Sequence, residues 1–224
     1  MQEDAMRTLR TLFLALGIFI LGFNTAQAQE NAIYQATITN LTNGQWLTPP
    51  ALVVHHSFFS LFTLGEEASD GLKILAKDGA NQLLEIELSN VPDVYNFVSG
   101  AEVIPPKGAS VDILFWGTQN IVLSVASMLG STNDGFVAAR GLSLDLQPGE
   151  QKTFFLTAYD AGSEENNELC AFISGAPCNN HNVDTATNEG FVSVHPGLAF
   201  NGDLDPLVHA FASPAAKITI FRVP

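Results

Sequence analysis

The segment IYQATITNL, residues 33–41, changes side-chain character at every position, with Ile33, Gln35, Thr37 and Thr39 on one side and Tyr34, Ala36 and Ile38 on the other. A period of two fits a strand with one buried face and does not fit a helix. The pattern returns in SVDILFWG (110–117), NIVLSVASML (120–129), KTFFLTAYD (152–160) and AKITIFRV (216–223), and in shorter form in GFVSVHPG (190–197). LLEIELS (83–89) reads as a further half-solvated strand, with Glu85 and Glu87 outward and Leu84, Ile86 and Leu88 inward. Turn-forming runs separate these segments, among them Asn43-Gly44, Pro105-Pro106-Lys107-Gly108 and Gln147-Pro148-Gly149. Only SDGLKILAKDG (69–79) carries a helical pattern, with Ser69 as N-cap, Leu72, Leu75 and Ala76 on one stripe, and Gly79 as the stop. Some eight short strands with one or two short helices specify an all-β chain folded as a two-layer antiparallel β-sandwich with Greek-key connections. The stretch 161–190 is long, polar and poor in strand signal, which marks it as a loop.

Residues 1–28 read as a signal peptide: Arg7 and Arg10 are basic, Thr11 to Phe23 is apolar, and Ala26-Gln27-Ala28 is a small-x-small cleavage signal. The apolar run is shorter than the ~20 residues that span a bilayer, so no transmembrane span is expected in the mature chain. Residues 29–224 then form one secreted domain, placed in the periplasm, at the cell surface or outside the cell. In that compartment Cys170 and Cys178 are expected to form one disulfide closing CAFISGAPC.

The chain has 9 Lys+Arg against 23 Asp+Glu, a net charge of −14, and the leader carries two of each sign. Nucleic acid is thereby excluded as a partner, because phosphate binding needs a basic footprint. Docking to anionic membrane by charge is disfavoured for the same reason. An acidic surface does concentrate divalent cations.

The stretch ASMLGSTNDGFVAARG (126–141) sets a small polar turn, Gly130 to Gly135, between apolar residues that lead in and out. Asp134 follows the strand 120–129, and Asp160 ends the strand 152–160 just before Ala161-Gly162. If those ends share one edge of the sandwich, two carboxylates face each other, and a hard cation would relieve their repulsion. The competing reading is turn chemistry alone: Asn133 and Asp134 are common turn formers, and Asp160 suits an Asx-turn. No EF-hand pattern is present.

Other chemistries have less support. His55 and His56 are adjacent and point to opposite faces of an extended segment, so a zinc or copper site, as in a metal-dependent extracellular hydrolase, would need them to converge with His181, His195 or His209. No Gly-x-Ser-x-Gly elbow occurs. The run Glu164, Glu165, Glu168 reads as a solvated loop rather than a glycosidase carboxylate pair. A carbohydrate-binding module would need Trp46 and Trp116 exposed on one face. Phe58, Phe59 and Phe62 are expected in the core.

Five stretches, ATITNLTNGQWLTPP, HSFFSLFTLGEEASDGLKILAKDG, ASMLGSTNDGFVA, AYDAGSEENNE and GFVSVHPG, occur in order between about residues 32 and 223. Together they resemble the spondin N-terminal domain family, in particular its compact bacterial exported members. The resemblance implies an antiparallel β-sandwich similar to calcium-dependent membrane-targeting sandwich domains, with one calcium ion at one end. It also implies a secreted adhesion or ligand-binding module, non-catalytic, whose partner is an extracellular protein or glycan. It carries the TND and YDAG motifs onto Asp134 and Asp160 as metal ligands and onto the Tyr159 carbonyl as a backbone ligand, with Asn133, Glu164 and Glu168 as further candidates. No thrombospondin-type repeats follow, so tethering by such repeats is not expected.

Overall fold

The computed structural model describes residues 31–224 apart from 119 and 182, so the signal peptide expected at 1–28 lies outside the described residues. In chain order the strands are β1 (Ala32–Asn40), β2 (Ala51–His56), β3 (Val94–Ser99), β4 (Ser110–Gly117), β5 (Ile121–Met128), β6 (Gly135–Ser143), β7 (Gln151–Asp160), β8 (Ser193–Val194) and β9 (Ala216–Arg222). Helices α1 (Asp70–Asp78) and α2 (Gln82–Leu88) fall between β2 and β3, and the single turn α3 (Pro206–His209) precedes β9. The strands hydrogen-bond in the order β3-β2-β5-β6-β7-β9-β1-β4, with β8 added on β7.

Strand β7 turns this ribbon into a sandwich. Its first part, Gln151 to Leu156, pairs with β9, and its last part, Thr157 to Asp160, pairs with β6. One long strand therefore belongs to both sheets. Tyr34, Ile38, Phe115, Ile218 and Ile220 on one sheet bury against Leu52, Val54, Leu123, Val125 and Val137 on the other. The all-β sandwich expected from the alternating segments is the fold observed.

Strand β2 escapes the two-residue period because both of its faces are covered. Leu52 and Val54 enter the sandwich core, while Ala51 and Val53 enter a second core beneath α1 and α2 with Leu72, Leu75, Leu84 and Leu88. A strand buried on both sides reads as an unbroken apolar run.

The segment LLEIELS, read as a strand from its alternation, is instead helix α2. Leu84 and Leu88, four apart, are buried against α1, and Ile86 is exposed. Alternation of Leu84, Ile86 and Leu88 suits either period, but Gln, Leu and Glu are strong helix formers and the packing surface accepts only the four-residue spacing. Glu87 Oε1 also accepts the Gly71 N–H at 2.8 Å, which ties α2 to the start of α1. Helix α1 follows its sequence signals: Ser69 Oγ accepts from Leu72 N at 3.2 Å, and Gly79 ends it at φ 70°.

Two further expectations need correction. Phe62 is buried edge-on against Phe136 and Phe59 is partly buried, but Phe58 is 76% exposed and stacks on His56, because the chain leaves β2 in a turn there. Trp116 stands opposite Ile33 near the start of β1, whereas Trp46 follows the far end of that strand. About 23 Å of strand separates them, at roughly 3.3 Å per residue, so the two tryptophans do not sit side by side as one aromatic platform.

Candidate functional site

The turn between β5 and β6 is fixed by its own polar groups. Leu129 N donates to Gly135 O at 2.8 Å, Thr132 Oγ1 donates to Leu129 O at 2.7 Å, and Gly135 N donates to Thr132 Oγ1 at 2.9 Å. This sets Asp134 immediately before β6. The β6–β7 register places Gly135 opposite Asp160, and Ala161 N donates to Asp134 O at 3.2 Å. The two strand ends do share one rim, and their carboxylates are neighbours.

Gly162 then folds the chain back over that rim. At φ +67° it takes a left-handed conformation, and a Cβ there would lie 2.2 Å from the Phe191 carbonyl oxygen. The residues after it close on Asp134. Oδ2 of Asp134 accepts from Ser163 N at 2.6 Å, Ser163 Oγ at 2.8 Å and Glu164 N at 2.9 Å. Asp160 Oδ1 accepts from Gly162 N at 2.6 Å, an Asx-turn contact, and its Oδ2 accepts from Asn166 Nδ2. The same Asn166 amide reaches Glu189 Oε1 at 3.4 Å.

Turn chemistry thus satisfies part of the cluster and leaves a deficit. Asp134, Asp160 and Glu164 are 0, 1 and 0% exposed, yet Asp134 Oδ1 and both Glu164 carboxylate oxygens have no hydrogen-bond partner. Burial, then the charge of Asp160, pushes Asp134 up to about 7. Burial, then the charge of Asp134, pushes Glu164 up to about 8. Burial raises Asp160, and burial with the Asp160 charge raises Glu189. The cation acting on Glu164 is Lys77, whose ammonium is already engaged by Asp184 and lies 3.8 Å from Asp78.

The remaining predicted ligands sit differently. Glu168 turns both oxygens to the backbone amides of Ala199 and Phe200. Asn133 Oδ1 accepts from Glu168 N at 3.0 Å, and its amide donates to Asn167 Oδ1 at 3.2 Å. Tyr159 packs its ring on Phe62 and Phe136, with its backbone in register between Phe136 and Val194. The geometry groups Asp134, Asp160 and Glu164, gives Asn133 and Glu168 architectural contacts, and keeps the Tyr159 backbone in the β6–β7–β8 register.

Sequence reading passed over Ser163, Asn166, Lys77 and Glu189. Ser163 and Asn166 lie inside the DAGSEENNE run and could have been included as polar loop neighbours. Lys77 and Glu189 arrive from α1 and the loop before β8, with no local spacing signal.

The disulfide between Cys170 and Cys178 is present and closes its loop against the same rim. Ser131 Oγ donates to Ala176 O at 2.6 Å and Ser174 Oγ to Asp78 Oδ1 at 2.7 Å. The histidines are dispersed: His55 Nε2 lies 2.7 Å from Ser124 Oγ, His195 Nδ1 accepts from Gly197 N at 3.0 Å, and His209 Nδ1 lies 3.1 Å from the Asp205 carbonyl oxygen. Among the described residues, no group of three or more His, Cys, Asp or Glu side chains is set to hold a metal ion. None of their helices is long and apolar enough to cross a membrane.

A family described as Spondin_N matches the chain over residues 40–193. That span runs from the end of β1 to β8 and includes the whole carboxylate cluster. No curated protein matches the chain.

Proposed function

This chain belongs to the Spondin_N family, and from that premise we propose that it is a secreted, non-catalytic adhesion or binding module whose rim holds one calcium ion. The unsatisfied deficit at Asp134 and Glu164 carries this reading. A native fold seldom buries carboxylate oxygens without donors, and here three such atoms lie beside two further raised carboxylates. Calcium would supply positive charge to a set of oxygens that otherwise repel one another. Asp134, Asp160 and Glu164 would hold it, with Glu189 and loop carbonyl or amide oxygens completing a loose shell. Calcium takes six to eight oxygens, so three closely converged carboxylates are not required. The disulfide between Cys170 and Cys178 fits work outside the cytoplasm. Ordering of residues 160–168 by the ion would present a fixed rim to a partner.

The dispersed histidines give a zinc hydrolase no comparable support. Calorimetric titration of calcium into chelator-treated protein tests the proposal. The expected result is saturable binding, a raised melting temperature, and loss of both in Asp134→Asn. Equal melting temperatures in calcium and chelator would remove the metal from the reading.

A further inference from the structure

The sheet formed by β4, β1, β9 and the first part of β7 has an outer face that the rim does not use. Its side chains are placed by strand register. Trp116 lies beside Ile33; the next row is Leu114, Gln35, Phe221 and Gln151; then come Asp112, Thr37, Thr219 and Thr153. The last row ends in Lys217 and Phe155. Leu114, Trp116 and Phe155 are 63, 56 and 63% exposed, although each belongs to a strand whose alternate residues are buried.

Two features of this face bear on what it could hold. First, aromatic rings are spread across it instead of gathered. With strands about 4.8 Å apart and about 3.3 Å per residue, Trp116 to Phe221 is about 12 Å and Phe221 to Phe155 about 14 Å, along one diagonal. Between them runs a polar row with fixed hydroxyls: Thr37 Oγ1 donates to Asp112 Oδ1 at 2.6 Å, and Thr153 and Thr219 share a hydrogen bond of 2.8 Å. Second, the face is nearly neutral in a chain of net charge −14, because Asp112 is balanced by Lys217.

We infer that this face binds an uncharged glycan strand lying along the diagonal. Sugar rings offer flat C–H faces that stack on Trp116, Phe221 and Phe155, and hydroxyls that exchange hydrogen bonds with the threonine row and with Gln35 and Gln151. Rings spaced more than one sugar apart suit a polymer and not a monosaccharide. Charge narrows the partner further: the chain repels polyanions, and a basic protein would seek the acidic rim. A second copy of this chain would have to bury the hydroxyl row and Asp112 against themselves, which costs where nothing replaces the water. The site is separate from the carboxylate cluster and does not rest on calcium.

Affinity measurements with cellohexaose, xylohexaose and chitohexaose test the inference, each in calcium and in chelator. Micromolar to millimolar binding of at least one hexaose is expected, equal in the two conditions, weakened at least tenfold in Trp116→Ala and in Phe221→Ala and less in Phe155→Ala. Unchanged melting temperatures of the Trp116 and Phe155 variants, whose side chains are exposed, keep the loss local; Phe221 is half-buried, so its variant counts only where its melting temperature is also unchanged. No binding of any hexaose overturns the inference, as does binding untouched by these substitutions. Binding that vanishes in chelator transfers the site to the rim and overturns it. Self-association that Trp116→Ala abolishes, without glycan binding, assigns the face to a second copy instead.

Discussion

Glu164 and Glu168 lie four residues apart in one loop, are equally withdrawn from water, and meet opposite surroundings. Glu168 has a backbone amide for each oxygen, from Ala199 and Phe200, and its own amide is taken by Asn133. Glu164 has no well-formed hydrogen bond to either oxygen, the Thr185 backbone amide and Lys77 offset its charge only in part, and it faces the charge of Asp134. Both carboxylates are buried within a single rim, so the difference is not one of depth. It shows that this fold can supply amides to a buried anion where the anion is architectural. Where it withholds them, the proposed calcium ion would supply the missing positive charge.

The largest break in that comparison should come from Glu168→Ala. The Ala199 and Phe200 N–H groups lose their acceptor, at a cost of about 3–5 kcal/mol. Chemical unfolding should show the same loss in calcium and in chelator, since Glu168 is not assigned to the ion. A loss confined to calcium would place Glu168 in the metal shell.

Asp134→Asn should act the other way round. An amide oxygen can still accept from Ser163 and Glu164, so stability in chelator should stay within about 1 kcal/mol while the calcium-dependent gain disappears. Glu164→Gln comes next in size. Removing a buried, donor-poor charge should raise stability in chelator above pH 8 by about 1 kcal/mol and weaken calcium binding. If Glu164→Gln destabilises the chelated protein at that pH, the contrast between the two glutamates is lost.

How much of this could be read from the sequence follows the same division. Alternation located β1, β4, β7 and β9, because each has one face in the core and one turned toward water; β5 was located as well, although both of its faces are covered. It failed at β2, covered on both faces, and misread α2, where Leu84, Ile86 and Leu88 fit two periods and the α1 surface chose between them. The pairing of Asp134 with Asp160 was legible because both stand at strand ends that a sandwich can bring to one rim. The separate fates of Glu164 and Glu168 were not. Which carboxylate finds amides depends on the path of residues 197–203, and no local spacing encodes that path.

The measurement that isolates the cluster most cleanly is the pH dependence of the chelated protein. Asp134 and Glu164 are raised to about 7 and about 8 from values near 4, so between those limits the folded state holds protons that the unfolded chain has released. Stability from these groups is therefore fully present at low pH and falls as pH rises through 7 and 8. His195 has the opposite sign. Burial lowers it to about 4, so its contribution is complete above pH 6.5 and fades as pH drops toward 4. Between pH 6.5 and 8.5 the histidine contribution is nearly constant and the carboxylates dominate. Melting temperature in chelator should fall by a few degrees across that interval, a shift on the order of 1–2 kcal/mol. Excess calcium should flatten or reverse the slope, because the ion binds the deprotonated carboxylates and competes with protons for them. Glu164→Gln should remove the part of the slope nearest pH 8 and leave the part near pH 7. A flat profile in chelator would mean that the carboxylate oxygens find donors in solution, and the distinction between Glu164 and Glu168 would then be one of geometry without an energetic consequence.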